Sequence, residues 1–188
     1  MPRKIAMVGT TSTGVKAPFD DLSWQIWGVS SRFPKIKRAD RWYEIHNLEG
    51  EPPDWAREWR KSLAGFLGDV PELWMIYPEP ELLPGKVRRL PVERLAERFE
   101  TIFMQSTFSW MMAHAIDEMA PVGQMAEPGS EISIFGVEME YGTEYREQRL
   151  GFRHFMGLAK QLGIAVTRLT GSGMAYDPVP YPMIQDDP

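Results

Sequence analysis

The sequence predicts an α/β domain: a three-layer Rossmann-like fold built on a mainly parallel sheet. Short apolar runs of strand length recur along the chain, most clearly Lys4–Val8 and Glu131–Val137. Segments with helical spacing of apolar residues lie between several of these runs, as right-handed crossovers between parallel strands require. The 188 residues, 43% of them hydrophobic and 25% charged, correspond to one globular domain with its own core.

Each element follows from a local pattern. Gly9 ends the first apolar run, Lys4–Val8, which we expect to be a central strand buried on both faces, as is Ile132–Phe135. The other predicted strands are Gln25–Val29, Trp42–Ile45, Leu73–Tyr77 and Ala165–Thr167. The predicted helices are Pro53–Phe66, Val92–Phe99, Thr107–Met119 with Ser106 or Thr107 as N-cap, and Glu144–Leu162.

Two stretches predict irregular structure. Five prolines between Pro71 and Pro91 indicate a surface loop, because proline cannot donate to a central strand ladder. Residues 171–188 contain glycines and prolines typical of an irregular tail. We therefore expect a single nucleotide-binding domain over residues 1–170, followed by that tail. His114 lies among methionines of a predicted helix and is expected to belong to the core.

Composition excludes several classes of protein. The chain has no cysteine, so disulfides, thiolate metal sites, iron–sulfur clusters and a cysteine nucleophile are excluded. A net charge of −5 disfavours a dedicated nucleic-acid coat. The first apolar run is too short for a signal peptide, and polar residues interrupt the segment from Ile102 to Ile116. These features predict a cytoplasmic protein with no membrane partner.

The turn after the first strand is a candidate phosphate site, because ligands of open α/β sheets bind beyond the carboxyl ends of the strands. Its glycines, backbone amides and hydroxyls could face a phosphate or ribose. It lacks the second glycine of the dinucleotide fingerprint and the Lys-Ser/Thr pair of a P-loop. A polar turn without a ligand is the alternative. The candidate residues are Gly9, Thr10, Thr11 and Ser12.

A basic segment follows the second predicted strand. Five basic residues stand against one acidic residue between Arg32 and Arg41. Guanidinium groups match phosphate oxygens and nearby aromatic rings can stack on bases, so the segment suits a nucleotide diphosphate or a nucleic-acid backbone. A solvated charge cluster is the alternative. The candidate ligand contacts in this region are Ser30, Ser31, Arg32, Lys35 and Arg38.

Acid–base candidates follow two other strands. Glu44 and His46 are two residues apart near a strand end, which places them on one side and is typical of an oriented general base. A structural histidine is the alternative. Glu138 follows the Ile132–Phe135 strand, and Arg149 lies in the next helix. We expect Glu138 and His46 to end adjacent or near-adjacent strands and to share a pocket with Gln148 or Arg149.

Several segments together resemble small Rossmann-like proteins of tailed bacteriophages over most of the chain. They are Lys4-Ile-Ala-Met-Val-Gly-Thr, Asp21-Leu-Ser-Trp-Gln-Ile-Trp-Gly, Ala39-Asp-Arg-Trp-Tyr-Glu-Ile-His, Thr107-Phe-Ser-Trp-Met-Met-Ala and Ile134-Phe-Gly-Val-Glu-Met. This resemblance implies a phage origin, a Rossmann-like fold and, for such a protein, a location in the host cytoplasm.

A more distant similarity links the chain to small bacterial sialyltransferase-type glycosyltransferases. The matching segments are Gly9–Ser12, Ser106–Ser109 and Gly136-Val137-Glu138. The chain departs from that pattern in the first segment, where Gly-Thr-Thr-Ser replaces Gly-x-Gly-Pro-Ser. The similarity implies that this loop contacts a nucleotide.

The function expected from these residues is nucleotide-sugar-dependent glycosyl transfer, with a modified nucleobase or DNA as the acceptor. The first loop, Ser30, Ser31 and the basic segment would hold the donor; His46 or Glu138 would act as base, and Arg149 or Lys16 would stabilise the departing phosphate. No metal is predicted. One alternative is a nucleoside-processing enzyme, a deoxyribosyltransferase or N-glycosidase with Glu138 or Glu140 as nucleophile. Another is a protein that sequesters a signalling nucleotide without catalysis.

Overall fold

The computed structural model describes residues 1–29, 36–47, 69–99, 101–137, 145–170 and 173–175. Within these ranges, the strands form one sheet in the order β5-β4-β3-β2-β1-β6-β7-β8. Their bounds are β1 Lys4–Val8, β2 Trp24–Val29, β3 Arg41–Glu44, β4 Glu72–Met75, β5 Val87–Arg89, β6 Glu131–Phe135, β7 Ala165–Thr170 and β8 Gly173–Ala175. Strands β1 to β7 are mutually parallel, and β8 pairs antiparallel with β7. The predicted mainly parallel α/β, Rossmann-like fold is confirmed.

The helices of the described ranges are α1 Val92–Arg98, α2 Thr107–Met119 and α3 Tyr145–Gln161, with short 3₁₀ turns at Ser12–Lys16 and Thr101–Phe103. They match three predicted helices, and Ser106 is the N-cap of α2, where its side chain accepts a hydrogen bond from the Ser109 amide. The fourth predicted helix, Pro53–Phe66, lies outside the described residues.

Strand β5 corrects the prediction that the proline-rich stretch around the Leu73–Tyr77 strand is otherwise a surface loop. Among the described residues, β5 is an edge strand that pairs with β4 only. The neighbouring prolines, Pro84 and Pro91, lie on either side of β5 and not within it. An end strand needs hydrogen-bond partners on one side only, so nearby prolines are tolerated there. Strand β8 lies in the stretch predicted as a tail, whose remaining residues are outside the described ranges.

Strand β1 is central, as predicted. Lys4 is in register with Trp24 of β2 on one side and with Glu131 of β6 on the other. Residues 5–8 of β1 and residues 132–134 of β6 are buried, while Lys4, Glu131 and Phe135 are partly exposed. Such burial on both faces explains why these strands read as continuous apolar runs rather than alternating ones.

The core consists of two layers, one on each face of the sheet. Met7, Trp27 and Tyr43 face the helices, whereas Val8 and Ile26 face irregular segments that contribute Phe19, Ile36, Leu82 and Leu83 on the other side. Strands β1 to β5 step in one direction across the sheet, and β6 and β7 step in the other. The direction therefore reverses between β1 and β6, which is the topological switch point of this fold.

A network of hydrogen bonds and ion pairs connects α2 to the amino ends of the strands. Nη1 of Arg41 at the start of β3 donates to both carboxylate oxygens of Glu118 on α2, at 2.9 Å each, and its Nε lies 3.1 Å from Glu72 Oε2 of β4. Arg3, before β1, donates to Glu118 at 2.9 Å. Burial opposes ionisation of Glu118, but hydrogen bonds and positive charge from His114 and Arg41 outweigh it and lower the Glu118 pKa to about 2.

The same network continues into the core. The hydroxyl of Tyr43 lies 2.9 Å from His114 Nδ1, and His114 Nε2 lies 3.3 Å from Glu118 Oε1. Because the ionised Glu118 can only accept hydrogen bonds, His114 donates to it from Nε2, and His114 Nδ1 and the Tyr43 hydroxyl hydrogen bond to each other. Burial raises the Tyr43 pKa well above its usual value, which keeps the hydroxyl protonated. His114 is buried, as its sequence context predicts.

Candidate functional site

The carboxyl ends of β1 and β6 meet closely at the switch point. Gly9 N donates to Phe135 O at 2.8 Å, and Thr11 N donates to Gly136 O at 3.1 Å. A Cβ atom at Gly9 would overlap the Gly136 carbonyl, and Gly136 adopts a φ of +67° that side chains rarely tolerate. The two glycines therefore let the turn after β1 cross the end of β6 in direct contact.

This crossing decides which atoms of the predicted phosphate loop can reach a ligand. The Gly9 and Thr11 amides already donate within the protein, and the Thr13 hydroxyl accepts from the Gly136 amide at 3.0 Å. Thr10 and Ser12 are exposed, and Thr11 is partly exposed. The structure thus assigns Gly9 to the crossing, and leaves the side chains of residues 10–12 as the ligand-accessible part of the loop.

Arg38 lies away from that loop, whereas the sequence predicts nucleotide phosphates near the loop and near one or more of Arg32, Lys35 and Arg38. Its Nη2 donates to the carbonyls of Trp24, at 2.8 Å, and Asp21, at 3.3 Å, and its Nη1 lies 3.6 Å from Asp40 Oδ2. Trp24 begins β2, so these contacts lie at the amino edge of the sheet, whereas Thr10 lies at the carboxyl edge. The length of β2 separates the two. Ser30, Ser31, Arg32 and Lys35 are outside the described residues.

Glu44 and His46 form a hydrogen-bonded pair at the carboxyl end of β3. The Glu44 side chain has no exposed surface, and its Oε1 accepts from the His46 backbone amide at 2.7 Å and from His46 Nδ1 at 2.5 Å. The hydrogen bond to Glu44 raises the pKa of the His46 imidazole above 6.5. The imidazole is 52% exposed, so a buried carboxylate orients a ring that solvent can reach.

The strand order sets how far His46, at the end of β3, lies from the candidate residues at the ends of β1 and β6. Because neighbouring strands are about 4.8 Å apart, the end of β3 lies roughly 10 Å from the end of β1 and roughly 14 Å from the end of β6. The expectation that His46 and Glu138 follow adjacent or near-adjacent strands is therefore wrong, since β1 and β2 separate β3 from β6. Glu138 itself is outside the described residues. Arg149 lies near the start of α3 and is partly buried.

The amino end of α2 also lies at the carboxyl edge, because Glu118 near its other end binds strand residues at the amino edge. Ser106 and Ser109 are buried there and hydrogen bond to each other at 3.0 Å. The helical pattern predicts Ser106 as an N-cap candidate, whereas only a family resemblance points to Ser109. The Ser106 hydroxyl caps α2 by accepting from the Ser109 amide, and the Ser109 hydroxyl hydrogen bonds to it.

Comparisons with known proteins identify no relative: no family model matches the chain, and neither curated protein sequences nor solved structures provide a significant match. None of the helices in the described parts of the chain is long and apolar enough to cross a membrane. The described residues also contain no group of three or more His, Asp or Glu side chains placed to hold a metal ion. The Rossmann-like fold and the geometry of its carboxyl edge therefore carry the functional argument.

Proposed function

We propose that this protein is a nucleotide-sugar-dependent glycosyltransferase in which His46, oriented by Glu44, transfers the proton of the reaction. The observation that carries the proposal is the buried Glu44 carboxylate bound to the half-exposed imidazole at the carboxyl edge of the sheet. Ligands of open α/β folds bind at this edge. A general base held by a carboxylate is the arrangement needed to deprotonate an acceptor hydroxyl.

The spacing along the edge supports a ligand of nucleotide size. The hydroxyls of Thr10, Thr11 and Ser12 lie about two strand spacings, roughly 10 Å, from His46. A single phosphate group cannot contact both places. A nucleotide sugar can place its phosphates at the loop and its sugar near the imidazole.

The transfer step follows from these positions. The acceptor oxygen attacks the anomeric carbon of the sugar and forms the new C–O bond while its proton passes to His46. The bond between the anomeric carbon and the phosphate oxygen breaks, and its electron pair leaves with the nucleotide phosphate. Glu44 stabilises the resulting imidazolium through its negative charge and fixes the ring orientation, without taking the proton itself. Arg149, near the start of α3, is the proposed cation for the departing phosphate.

The acceptor that we propose is a modified nucleobase or DNA, on the strength of the resemblance to phage proteins. The donor chemistry is the part of the proposal that can be tested first. Water can replace the acceptor, so hydrolysis of the donor reports the same bond cleavage.

The test is turnover of radiolabelled nucleotide sugars, with calorimetric binding of each donor measured in parallel. His46→Gln should lower turnover by ~10²–10⁴, the usual contribution of a general base, while donor affinity changes by a few-fold at most. Glu44→Gln replaces the charged acceptor of His46 Nδ1 with a neutral amide oxygen and so weakens the interaction that raises the His46 pKa. The acidic limb of its pH–rate profile should therefore move to lower pH. His154→Gln is the matched control because this histidine lies on α3, outside the proposed machinery, and its rate and profile should stay unchanged.

Three results would contradict the proposal. Full turnover in both His46→Gln and Glu44→Gln would remove the pair from the reaction. Nucleotide binding without any turnover would favour a sequestering protein instead. Release of a base from a deoxynucleoside would favour a nucleoside-processing enzyme.

A further inference from the structure

The end of β4 presents an exposed aromatic side chain beside the candidate base. Glu44 of β3 is in register with Met75 of β4, and the Ile76 amide donates to the Glu44 carbonyl at 3.3 Å. His46 and Tyr77 each lie two residues beyond that register, so their backbones are about one strand spacing apart. Tyr77 is 48% exposed, and the His46 imidazole is half-exposed. Two rings that solvent can reach therefore lie next to each other at the carboxyl edge of the sheet.

The chain fixes the backbone of Tyr77 on both sides. The hydrogen bond of the Ile76 amide holds the preceding residue, and Pro78 restricts Tyr77 to extended backbone conformations. Two residues further on, Glu79 is buried, and its carbonyl accepts from the Leu82 amide at 3.1 Å. Within the described parts of the chain, the Tyr77 side chain makes no hydrogen bond and no ring contact. Its aromatic face is therefore held in position and open to a ligand.

The strand order decides which substrate meets this ring. In the proposed transfer, the attacking oxygen and the departing phosphate oxygen lie on opposite sides of the anomeric carbon. The loop assigned to the donor phosphates follows β1, on one side of β3, whereas Tyr77 follows β4, on the other side. An acceptor that gives its proton to His46 therefore approaches from the side of β4. Tyr77 is the exposed aromatic residue on that side.

We propose that Tyr77 binds the acceptor by stacking on a nucleobase, an inference that rests on the proposed function. Every nucleobase has a flat face that stacks on an aromatic side chain. The next exposed residues, Pro78 and Pro80, have no amide hydrogen to donate. This surface offers flat nonpolar contacts and few of the hydrogen-bond donors that a sugar acceptor requires. The acceptor class is thus a base outside a duplex, as in a nucleotide or a single strand.

Fluorescence anisotropy tests the proposal with two end-labelled single-stranded deoxyoligonucleotides of equal length, one of which lacks bases at its central positions. The unmodified full chain should bind the complete oligonucleotide more tightly. Tyr77→Ala should weaken this binding about 5- to 150-fold, the equivalent of one base–aromatic stack. Its affinity for the oligonucleotide without central bases should stay within a few-fold. Tyr77→Phe should bind like the unmodified chain because it keeps the ring.

Leu22→Ala is the matched control, because it also removes an exposed nonpolar side chain but precedes β2, at the amino edge of the sheet. It should bind both oligonucleotides like the unmodified chain. If Tyr77→Ala fails to fold, Tyr77→Leu keeps the nonpolar bulk without the ring and should show the same loss.

Three results would overturn the inference: an unmodified chain that binds neither oligonucleotide, one that binds both equally, or a folded Tyr77→Ala or Tyr77→Leu chain that binds like the unmodified one. These binding measurements need no turnover. Their failure is therefore distinct from failure of the proposed function, which would be seen as the absence of donor turnover in the unmodified chain.

Discussion

Replacing Glu118 with glutamine should destabilise the protein strongly, because this carboxylate joins α2 to the amino ends of β1 and β3. Its contacts are the bidentate hydrogen bonds from Arg41, a further one from Arg3 and the neighbouring His114. The pKa of Glu118 falls from 4.5 to about 2 in the folded protein. At 1.36 kcal/mol per pKa unit, this difference corresponds to ~3 kcal/mol, and the partly exposed position reduces it to about 2–3 kcal/mol.

The contribution of Glu118 to the free energy of unfolding should fall as the pH is lowered. A carboxylate with a lowered pKa stabilises the folded state above its unfolded pKa of 4.5, and this contribution disappears as the pH falls toward 2. Glu118→Gln should therefore lose about 2–3 kcal/mol at pH 7 and much less near pH 2. Urea unfolding followed by tryptophan fluorescence at both pH values measures the difference.

Glu93→Gln is the control for this experiment. Glu93 also pairs with an arginine, Arg89, but both side chains are well exposed, and exposed pairs contribute little. Its unfolding midpoint should stay close to that of the unmodified protein at both pH values. The reasoning would be refuted if Glu118→Gln behaved like Glu93→Gln at pH 7.

Two other predictions concern α3 and α2. Gly151→Ala should destabilise by about 1–3 kcal/mol because its methyl group meets the Phe103 backbone, whereas Gly157→Ala should stabilise by ~0.5–1 kcal/mol because the space there is open. Similar melting temperatures for the two variants would contradict this. Ser106→Ala removes the hydroxyl that caps α2 and should cost ~1 kcal/mol in urea unfolding, a loss that Ser106→Thr should largely avoid. An unchanged midpoint for Ser106→Ala would show that the cap is dispensable.

Local patterns in the chain were enough to predict much of the fold. Strands buried on both faces must be apolar throughout, so β1 and β6 could be recognised from a few consecutive residues. The helices α1, α2 and α3 follow from periodicity and from capping by Ser106. The Glu44–His46 pair could also be predicted, because two residues so close in sequence at a strand end stay near each other whatever the rest of the fold does.

Other features depend on which strands become neighbours, and no local pattern contains that information. The distance between His46 and the end of β6 follows from the strand order, which places β1 and β2 between them. Arg38 lies at the amino edge because it comes shortly before β3, which begins at that edge, and its guanidinium donates to the Trp24 carbonyl. Short-range spacing made it look like part of a phosphate site.

The network around Glu118 is the clearest example of a feature that no local sequence pattern predicts. Arg41, Glu72 and Glu118 come from β3, β4 and α2, and Arg3 precedes β1. These residues are separated by up to 115 positions in the chain, yet their side chains meet at one edge of the sheet. Each residue alone has the appearance of an ordinary surface charge. Their pairing, and the lowered pKa of Glu118, arise because parallel register aligns the amino ends of the strands and α2 runs antiparallel to them.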